Sequence, residues 1–352
     1  MKKTSFYRLA TGLLLAATLS ACNGATGQGP NLSSETTPDV SQAPGPKTTV
    51  QKFNYTFGPF KLSAKSGATP MANKDGKLSF RVDTPVWMTG FEPHVVDAKG
   101  NAISGDVVQL VVLSNNSEAN PLCTTRQTGN PFAATTSLLQ KVALPDGYGY
   151  PLLPEDVLEA KIVLRNSSEE DLRDIYFSFT LTAEPMDVAS QKKDVMPLLL
   201  DTDPCDHTPI SVPPGGMIQK KASSVIPEDG GLIKAVGLLQ NYGMSVAIDA
   251  GKDKTAFTWS TMSQLNDAHQ IISLESFESS KGAPIKKDES IQLEVVYDNF
   301  SGDWMDDATA AAMIYIARDS QVSGTERRPS SDGSRTENQP TITATTTQKL
   351  LF

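Results

Sequence analysis

Between Phe53 and Ala317 the chain is a succession of short β-prone runs broken by Gly, Pro, Asn and Asp, with almost no helical periodicity. Phe60-Lys61-Leu62-Ser63 and Leu78-Ser79-Phe80-Arg81-Val82 alternate apolar and polar residues, as a half-buried strand must. Val107 to Leu113 is a nearly continuous apolar run. Ala160 to Leu164 and Ile175 to Leu181 bracket a polar turn at Asn166 to Asp171. Only Met262 to Gln270 suggests a short helical turn. Strands recurring at roughly ten-residue spacing predict an all-β fold, a sandwich or jelly roll.

The organisation follows from breaks in this texture. Pro185, Pro197, Pro204 and Pro209 crowd residues 183–211 with much charge, which places a domain junction there. The expectation is two tandem jelly-roll or β-sandwich domains, residues 51–195 and 196–320, followed by a disordered Ser-, Thr-, Arg- and Gly-rich tail, 321–352. Ile342 and Leu350-Leu351-Phe352 are the tail's only apolar anchors. In the second domain, Val236 to Val246 reads as strand, turn and strand, turning at Asn241-Tyr242-Gly243. Leu238 and Gln240, two apart, project from one face.

The amino terminus carries an address. Lys2, Lys3 and Arg8 precede an apolar core from Leu9 to Leu19, too short to span a bilayer comfortably. Leu19-Ser20-Ala21-Cys22 resembles the lipobox of bacterial lipoproteins. The resemblance implies removal of a signal peptide, 1–21, and lipidation of Cys22 as the mature amino terminus. The alternative is an ordinary secretory signal with a chance cysteine. Asn23, rather than Asp, follows the cysteine, so the expected location is the cell envelope with the anchor in the outer membrane. The Gly-, Pro-, Ser- and Thr-rich segment 22–50 reads as a flexible tether, holding the body on the order of 30 Å from the lipid.

Charge narrows the partners. The chain has net charge −9, and without the basic leader the balance is 28 − 40 = −12. Nucleic acid needs clustered Lys and Arg, so it is excluded as a partner. The expected partners are the membrane, through Cys22, and a protein, peptide or glycan ligand. Export also places Cys123 and Cys205 in an oxidising compartment, where a disulfide is the first reading and two buried thiols the alternative.

Four ordered segments are similar to the copper type II, ascorbate-dependent monooxygenases, the family of peptidylglycine α-hydroxylating and dopamine β-monooxygenase. They are Trp87 to Asn115, Leu144 to Asn166, Pro213 to Val246, and Val295 to Ala317. The resemblance implies two jelly-roll domains, each with a copper, facing across a solvent-filled cleft. It places ligands of one copper at Gln109, Leu110 and Arg165, and of the other at Leu238, Gln240 and Met313. Copper cycling between its two oxidation states is served by neutral imidazole and thioether. None of these six positions holds a histidine, and Arg165 brings a fixed positive charge. The chain's three histidines, His94, His207 and His269, read as surface or loop residues.

Other chemistry is thinner. The acids at 167–171 and 303–307 lack the Asp-x-Asp-x-Asp-Gly arrangement of a calcium loop and read as solvated turns. No Gly-x-Ser-x-Gly elbow and no phosphate-cradling glycine loop is present. Tyr148, Trp259 and Trp304 are candidate cleft aromatics for a sugar or peptide, with packing as the simpler role. The expectation is a non-catalytic, lipid-anchored cell-envelope binding or scaffold protein on a monooxygenase-like fold, with no catalytic residue and no cofactor. The alternatives are a copper-dependent oxidoreductase with a rearranged or partner-completed site, and a surface adhesion or assembly module.

Overall fold

Strands with one wet face alternate here, and strands walled in on both faces do not. In the computed structural model, which describes residues 49–72, 78–123, 125, 127–187, 191–251, 257–319 and 345–346, both kinds occur. The expected signal peptide, the expected lipidation site at Cys22, nearly all of the expected tether and most of the tail lie outside the described residues.

The first half holds β1 (Gln51–Leu62), β2 (Ser66–Met71), β3 (Val86–Val96), β4 (Val108–Ala119), β5 (Gly129–Thr135), β6 (Tyr148–Leu152), β7 (Leu158–Asn166) and β8 (Leu172–Pro185). The second holds β9 (Lys193–Asp201), β10 (Met217–Val225), β11 (Gly230–Leu238), β12 (Gly243–Ala250), β13 (Phe257–Met262), β14 (Phe277–Ile285), β15 (Ser290–Asp298) and β16 (Ala311–Arg318). Very short strands fill some of the connections. Among the described residues there is no α-helix, only a 3-10 turn at Gly105–Val107.

The topology repeats. The first half pairs β1-β8-β3-β6 in one sheet and β2-β7-β4-β5 in the other. The second half pairs β9-β16-β11-β14 and β10-β15-β12-β13. Adding eight to each strand of the first half gives the second, so the chain is two eight-stranded jelly rolls in tandem. A short parallel pairing of β6 with β9, Tyr148 opposite Lys193 and Gly149 opposite Asp194, fuses two of these sheets into one. The described residues form a single compact unit.

Repetition extends to atoms. After β7, Asn166 accepts from the backbone N–H and hydroxyl of Ser168 and donates to the carbonyls of Ser63 and Glu170. After β15, Asn299 accepts from the same two groups of Ser301 and donates to the carbonyls of Val212, Pro213 and Asp303. Both acid-rich segments are therefore side-chain-braced turns.

In β8, Ile175, Phe177, Phe179, Leu181 and Ala183 face the first core between more exposed neighbours. Phe179 lies 5.1 Å from Tyr55 and 5.2 Å from Phe80, ring centre to ring centre. The sheet β9-β16-β11 behaves differently. On β16, Ala311, Met313, Tyr315 and Ala317 enter the first core, while Ala312, Ile314 and Ile316 enter the second. On β9, Val195 and Leu199 face the first core, while Met196, Leu198 and Leu200 face the second. This sheet is a partition, and burial on both faces explains its unbroken apolar runs.

Two expectations need adjustment. The halves meet within the Pro-rich stretch 183–211, between β8, which ends at Pro185, and β9, whose residues from Asp194 to Asp201 are all buried. The boundary expected at 195/196 falls inside that strand. Met262 to Gln270 does not begin a helix; it leaves β13 and makes a tight turn in which Asn266 accepts from the N–H groups of Ala268 and Gln270. Local side-chain bonding of this kind competes with helix formation.

Candidate functional site

The strand-turn-strand at Val236 to Val246 is β11, its turn and β12, as expected. Gly237 is required by packing, since a Cβ there would meet Val246 Cγ1 at 2.5 Å. Tyr242, not a glycine, takes the left-handed conformation of the turn, with φ 67°.

Of the six positions singled out by the resemblance, Gln109 and Gln240 meet at the seam between the halves, Arg165 is bonded beside them, and Leu110, Leu238 and Met313 are buried in the first core. Gln240 is fully buried and donates from Nε2 to the Gln109 carbonyl at 2.6 Å. Its Oε1 accepts from the Thr309 N–H at 3.2 Å, and its own N–H donates to the Tyr297 hydroxyl at 3.1 Å. That hydroxyl donates to the Thr309 carbonyl at 2.6 Å. Burial raises the Tyr297 hydroxyl well above the usual phenol range, so it stays protonated and able to donate.

Arg165 is committed next to this network. Its Nε donates to the Asp106 carbonyl at 3.2 Å and its Nη1 lies 3.4 Å from the Asp307 carboxylate. Asp106 accepts from Asn241 at 3.2 Å and Gln270 at 2.9 Å, tying the first half to two turns of the second. Gln109 sits at an irregularity in the β4–β7 register, buried, and its amide has no hydrogen-bond partner among the described residues. Leu110, Leu238 and Met313 belong to the first core.

This set does not fit copper. Two leucines, a methionine sunk in the core, an engaged amide, a second amide and a paired guanidinium offer no imidazole and no open coordination position. Where the resemblance implies a solvent-filled cleft, Gln240 and Gln109 are in contact and buried. Nor do the histidines gather. His94 is half exposed 3.8 Å from Glu92, His269 stacks on Tyr242, and His207 is bonded to Asp201. Among the described residues, no group of three His, Cys, Asp or Glu is arranged for a metal.

A different place offers room. A cavity of about 850 Å³ lies over the outer face of β4 and β7, under the loop that follows β9. Its floor is polar: Ser114 lies opposite Glu159, and Asn116 Nδ2 donates to Glu159 Oε2 at 2.7 Å. The covering loop is fastened by the Cys123–Cys205 disulfide, whose Cα atoms are 5.1 Å apart. Two cross-bonds add to it: Asn120 Nδ2 to the Pro204 carbonyl at 3.1 Å, and Lys161 Nζ to the Asp206 carbonyl at 2.9 Å. Both halves therefore build the cavity.

Within that loop, Asp201 accepts from His207 Nδ1 at 3.0 Å, with both side chains almost completely buried. His207 holds a left-handed backbone, φ 56°, and lines the cavity beside Cys205. Asp203 braces the loop by accepting from the N–H groups of Cys205 and Asp206 and from the Thr208 hydroxyl at 2.6 Å. The Thr208 bond leads the effects that hold the Asp203 carboxyl below its usual range. A carboxylate-oriented imidazole, carboxylates, amides and hydroxyls around one space suit a ligand rich in hydrogen-bonding groups. Sequence reading missed this site, since a polar strand face looks the same whether or not a loop covers it. Of the three aromatics considered for a cleft, Tyr148 donates to the Ser280 carbonyl, Trp259 packs against the second core and Trp304 is exposed.

No protein-family model matches the chain, and no curated protein matches it. Among solved structures, it is similar to PBCV-1 VP54 fitted into a reconstruction of the virophage Sputnik, at 9% identity and TM-score 0.29, over 79% of this chain and 95% of that one. It is similar to the infectious bursal disease virus VP2 subviral particle at 14% identity and TM-score 0.25, over 77% and 71%. The Sulfolobus turreted icosahedral virus structure gives 8% identity and TM-score 0.26, over 76% and 90%. Superpositions this loose carry nothing about the site, and function is argued from the residues.

Proposed function

We propose that the chain is a non-catalytic, lipid-anchored binding protein of the cell envelope, built on a monooxygenase-like pair of jelly rolls whose copper-ligand positions serve as a structural seam. It holds a polar ligand, a glycan or a short peptide segment, in the cavity under the loop after β9. The observation that carries this reading is the cavity itself: about 850 Å³, polar, and walled by a loop that one disulfide and two hydrogen bonds hold in place. A preformed wall spares a ligand the cost of ordering it. Lipidation at Cys22 rests on the Leu19-Ser20-Ala21-Cys22 pattern. No helix among the described residues is long and apolar enough to cross a membrane.

The test is thermal denaturation of the full-length protein against soluble oligosaccharides and short peptides, since a ligand of the native state raises the midpoint with its concentration. The expected result is stabilisation by one of these classes that is lost in a Glu159→Ala, Lys161→Ala double variant. Stabilisation that survives the double variant would place the ligand elsewhere. The oxidoreductase reading is settled by metal content: stoichiometric copper with ascorbate-dependent oxygen consumption sinks the non-catalytic assignment.

A further inference from the structure

Large apolar side chains exposed one at a time need no explanation, but a gathering of them does. Of the eight exposed in the described residues, five (Met217, Met262, Ile272, Phe300 and Trp304) sit on segments joined at one end of the second jelly roll. Met217 lies opposite Asp298, whose N–H donates to the Tyr242 carbonyl at 3.0 Å, and the Tyr242 N–H donates to the His269 carbonyl at 3.0 Å. Met262 lies opposite Ser245 on β12. Three rings stack across these turns: Tyr242 to His269 at 5.8 Å and 14°, then His269 to Phe300 at 4.6 Å and 34°. Tyr242 and His269 both hold left-handed backbone, at φ 67° and 57°, a conformation that side-chain-bearing residues adopt uncommonly.

The turns at this end carry one sign of charge; Lys220 and Lys221 lie beyond them along β10, Lys221 paired with Glu294 at 2.6 Å. Residues 212–219, 236–250, 257–280 and 289–317 contain no Lys or Arg, whereas Asp267 and Asp303 lie on the turns, Asp298 ends β15 just before Phe300, and Asp306 follows Trp304 on a short strand, Met305–Ala308. The first half sends Lys65 toward Asp303, but Lys65 is already paired with Glu169 at 2.7 Å. Arg165 is spent on Asp307 and the Asp106 carbonyl.

From this juxtaposition we propose that the ring-bearing end of the second jelly roll is a docking surface for a Lys- and Arg-bearing segment of a partner protein. Charge complementarity selects the occupant: carboxylates take the cations, while Phe300 and Trp304 take their methylene stems and offer ring faces to guanidinium or ammonium. Methionine at the margin adapts to varied side chains. The surface is separate from the cavity under the loop after β9, and its occupancy does not depend on the ligand proposed there.

The experiment titrates the full-length protein with a short fluorescent peptide of Arg, Lys, Leu and Ala, and with the same peptide carrying Glu at each cation. Readouts are peptide anisotropy and the emission of the protein's tryptophans. The expected result is binding of the basic peptide roughly ten-fold or more tighter than the acidic one. It should weaken as salt is raised to about 0.5 M and be lost in a Phe300→Ser, Trp304→Ser variant. Both substituted side chains are more than half exposed, so the variant is expected to keep its unfolding midpoint. Equal binding of the two peptides, binding unaffected by the variant, transfer of Trp304 into zwitterionic vesicles, or ring-dependent dimerisation without peptide binding would each overturn the proposal.

Discussion

Gln240 donates its side-chain amide to the main-chain carbonyl of Gln109, 2.6 Å across the seam between two jelly rolls. Where the resemblance sets two metal positions apart across water, this chain sets one amide that belongs to both halves. The same amide accepts from Thr309, so its polar atoms are used and the seam is closed at that point.

Removing that amide should therefore unlock the seam. Gln240→Ala leaves the Gln109 carbonyl and the Thr309 N–H without their partner in a buried setting. Each stranded group costs about 1–3 kcal/mol, so a loss of roughly 2–6 kcal/mol is expected, read as a lower denaturant midpoint. Gln240→Glu should be nearly as harmful, because a carboxylate cannot donate to a carbonyl. A midpoint unchanged in both variants would mean the seam does not depend on this bond.

The disulfide closes a long loop, since Cys123 and Cys205 are 82 residues apart. Chain-entropy arguments give about 4–5 kcal/mol for a loop of that length, with about 2–5 kcal/mol typical when native disulfides are removed. A Cys123→Ser, Cys205→Ser variant should lose stability in that range. It should also exchange the amide protons of residues 202–208 faster than wild type, because the covalent tie of the loop to the first half is gone and hydrogen bonds such as those from Asn120 and Lys161 must hold it. Unchanged exchange would show that the hydrogen bonds suffice.

Much of the fold was legible in the sequence, for a physical reason. Strands with one wet face write their burial as alternation, which is why Ile175 to Leu181 reads directly as a strand, and the chain's many turns announce themselves through Gly, Pro, Asn and Asp. The Cys123–Cys205 pairing was also legible, from the expected export and from the two cysteines left once Cys22 is assigned to lipid. The partition was not. A strand covered on both faces, such as Ala311 to Ala317, shows only that it is buried, not that it separates two cores. Proline misled in the same region: Pro197 lies inside β9, opposite Tyr315 in the antiparallel pairing with β16. The cavity was invisible because its covering loop comes from the other half. His207 earns its place through Asp201, six residues away, and that spacing carries no recognised signature.

Asp194 should give the seam a pH signature. It sits where β6 meets β9, and burial pushes its carboxyl up to about 6 although Arg318, 2.7 Å away, pulls it down. A carboxyl raised above its unfolded value of about 3.9 favours folding most when protonated. Its contribution is complete below that value and is lost as pH rises through about 6. The expected difference is on the order of 2–3 kcal/mol. Asp194→Asn should remove it, so the stability gap between wild type and variant should change between about pH 4 and 6 and be flat above 7. Urea titrations across that range are decisive, and a constant gap would refute the assignment.

The matched asparagines offer a check on the repeat. Asn166 and Asn299 each hold a turn through bonds to a following serine and to backbone carbonyls. Asn166→Ala and Asn299→Ala should each cost about 1–3 kcal/mol, because several partly buried backbone groups lose their partner at once. Asp should rescue neither fully, since it keeps the acceptor and loses the donor. Markedly unequal costs would show that the two turns, though built alike, are not equally important to their jelly rolls.

Arg165 and Asp307 close the same seam with charge. Their side chains are mostly buried, 16% and 18% exposed, and the guanidinium also serves the Asp106 carbonyl. Removing one member of such a pair leaves an uncompensated charge, while replacing both with apolar residues of similar size removes the problem. Arg165→Met alone should thus cost about 3–5 kcal/mol. The double variant Arg165→Met, Asp307→Leu should recover most of it, with a coupling of roughly 1–3 kcal/mol in the double-mutant cycle. Arg165→His tests the other history of this position. It restores the residue type that the resemblance implies, yet Gln109, Leu110 and the rest of the seam supply no companion imidazole. The variant should lose stability and bind copper no better than wild type, by calorimetric titration of the full-length protein. A tight copper site appearing on that single change would mean that the seam can open far enough to serve a metal, and that its closed packing is one state of two.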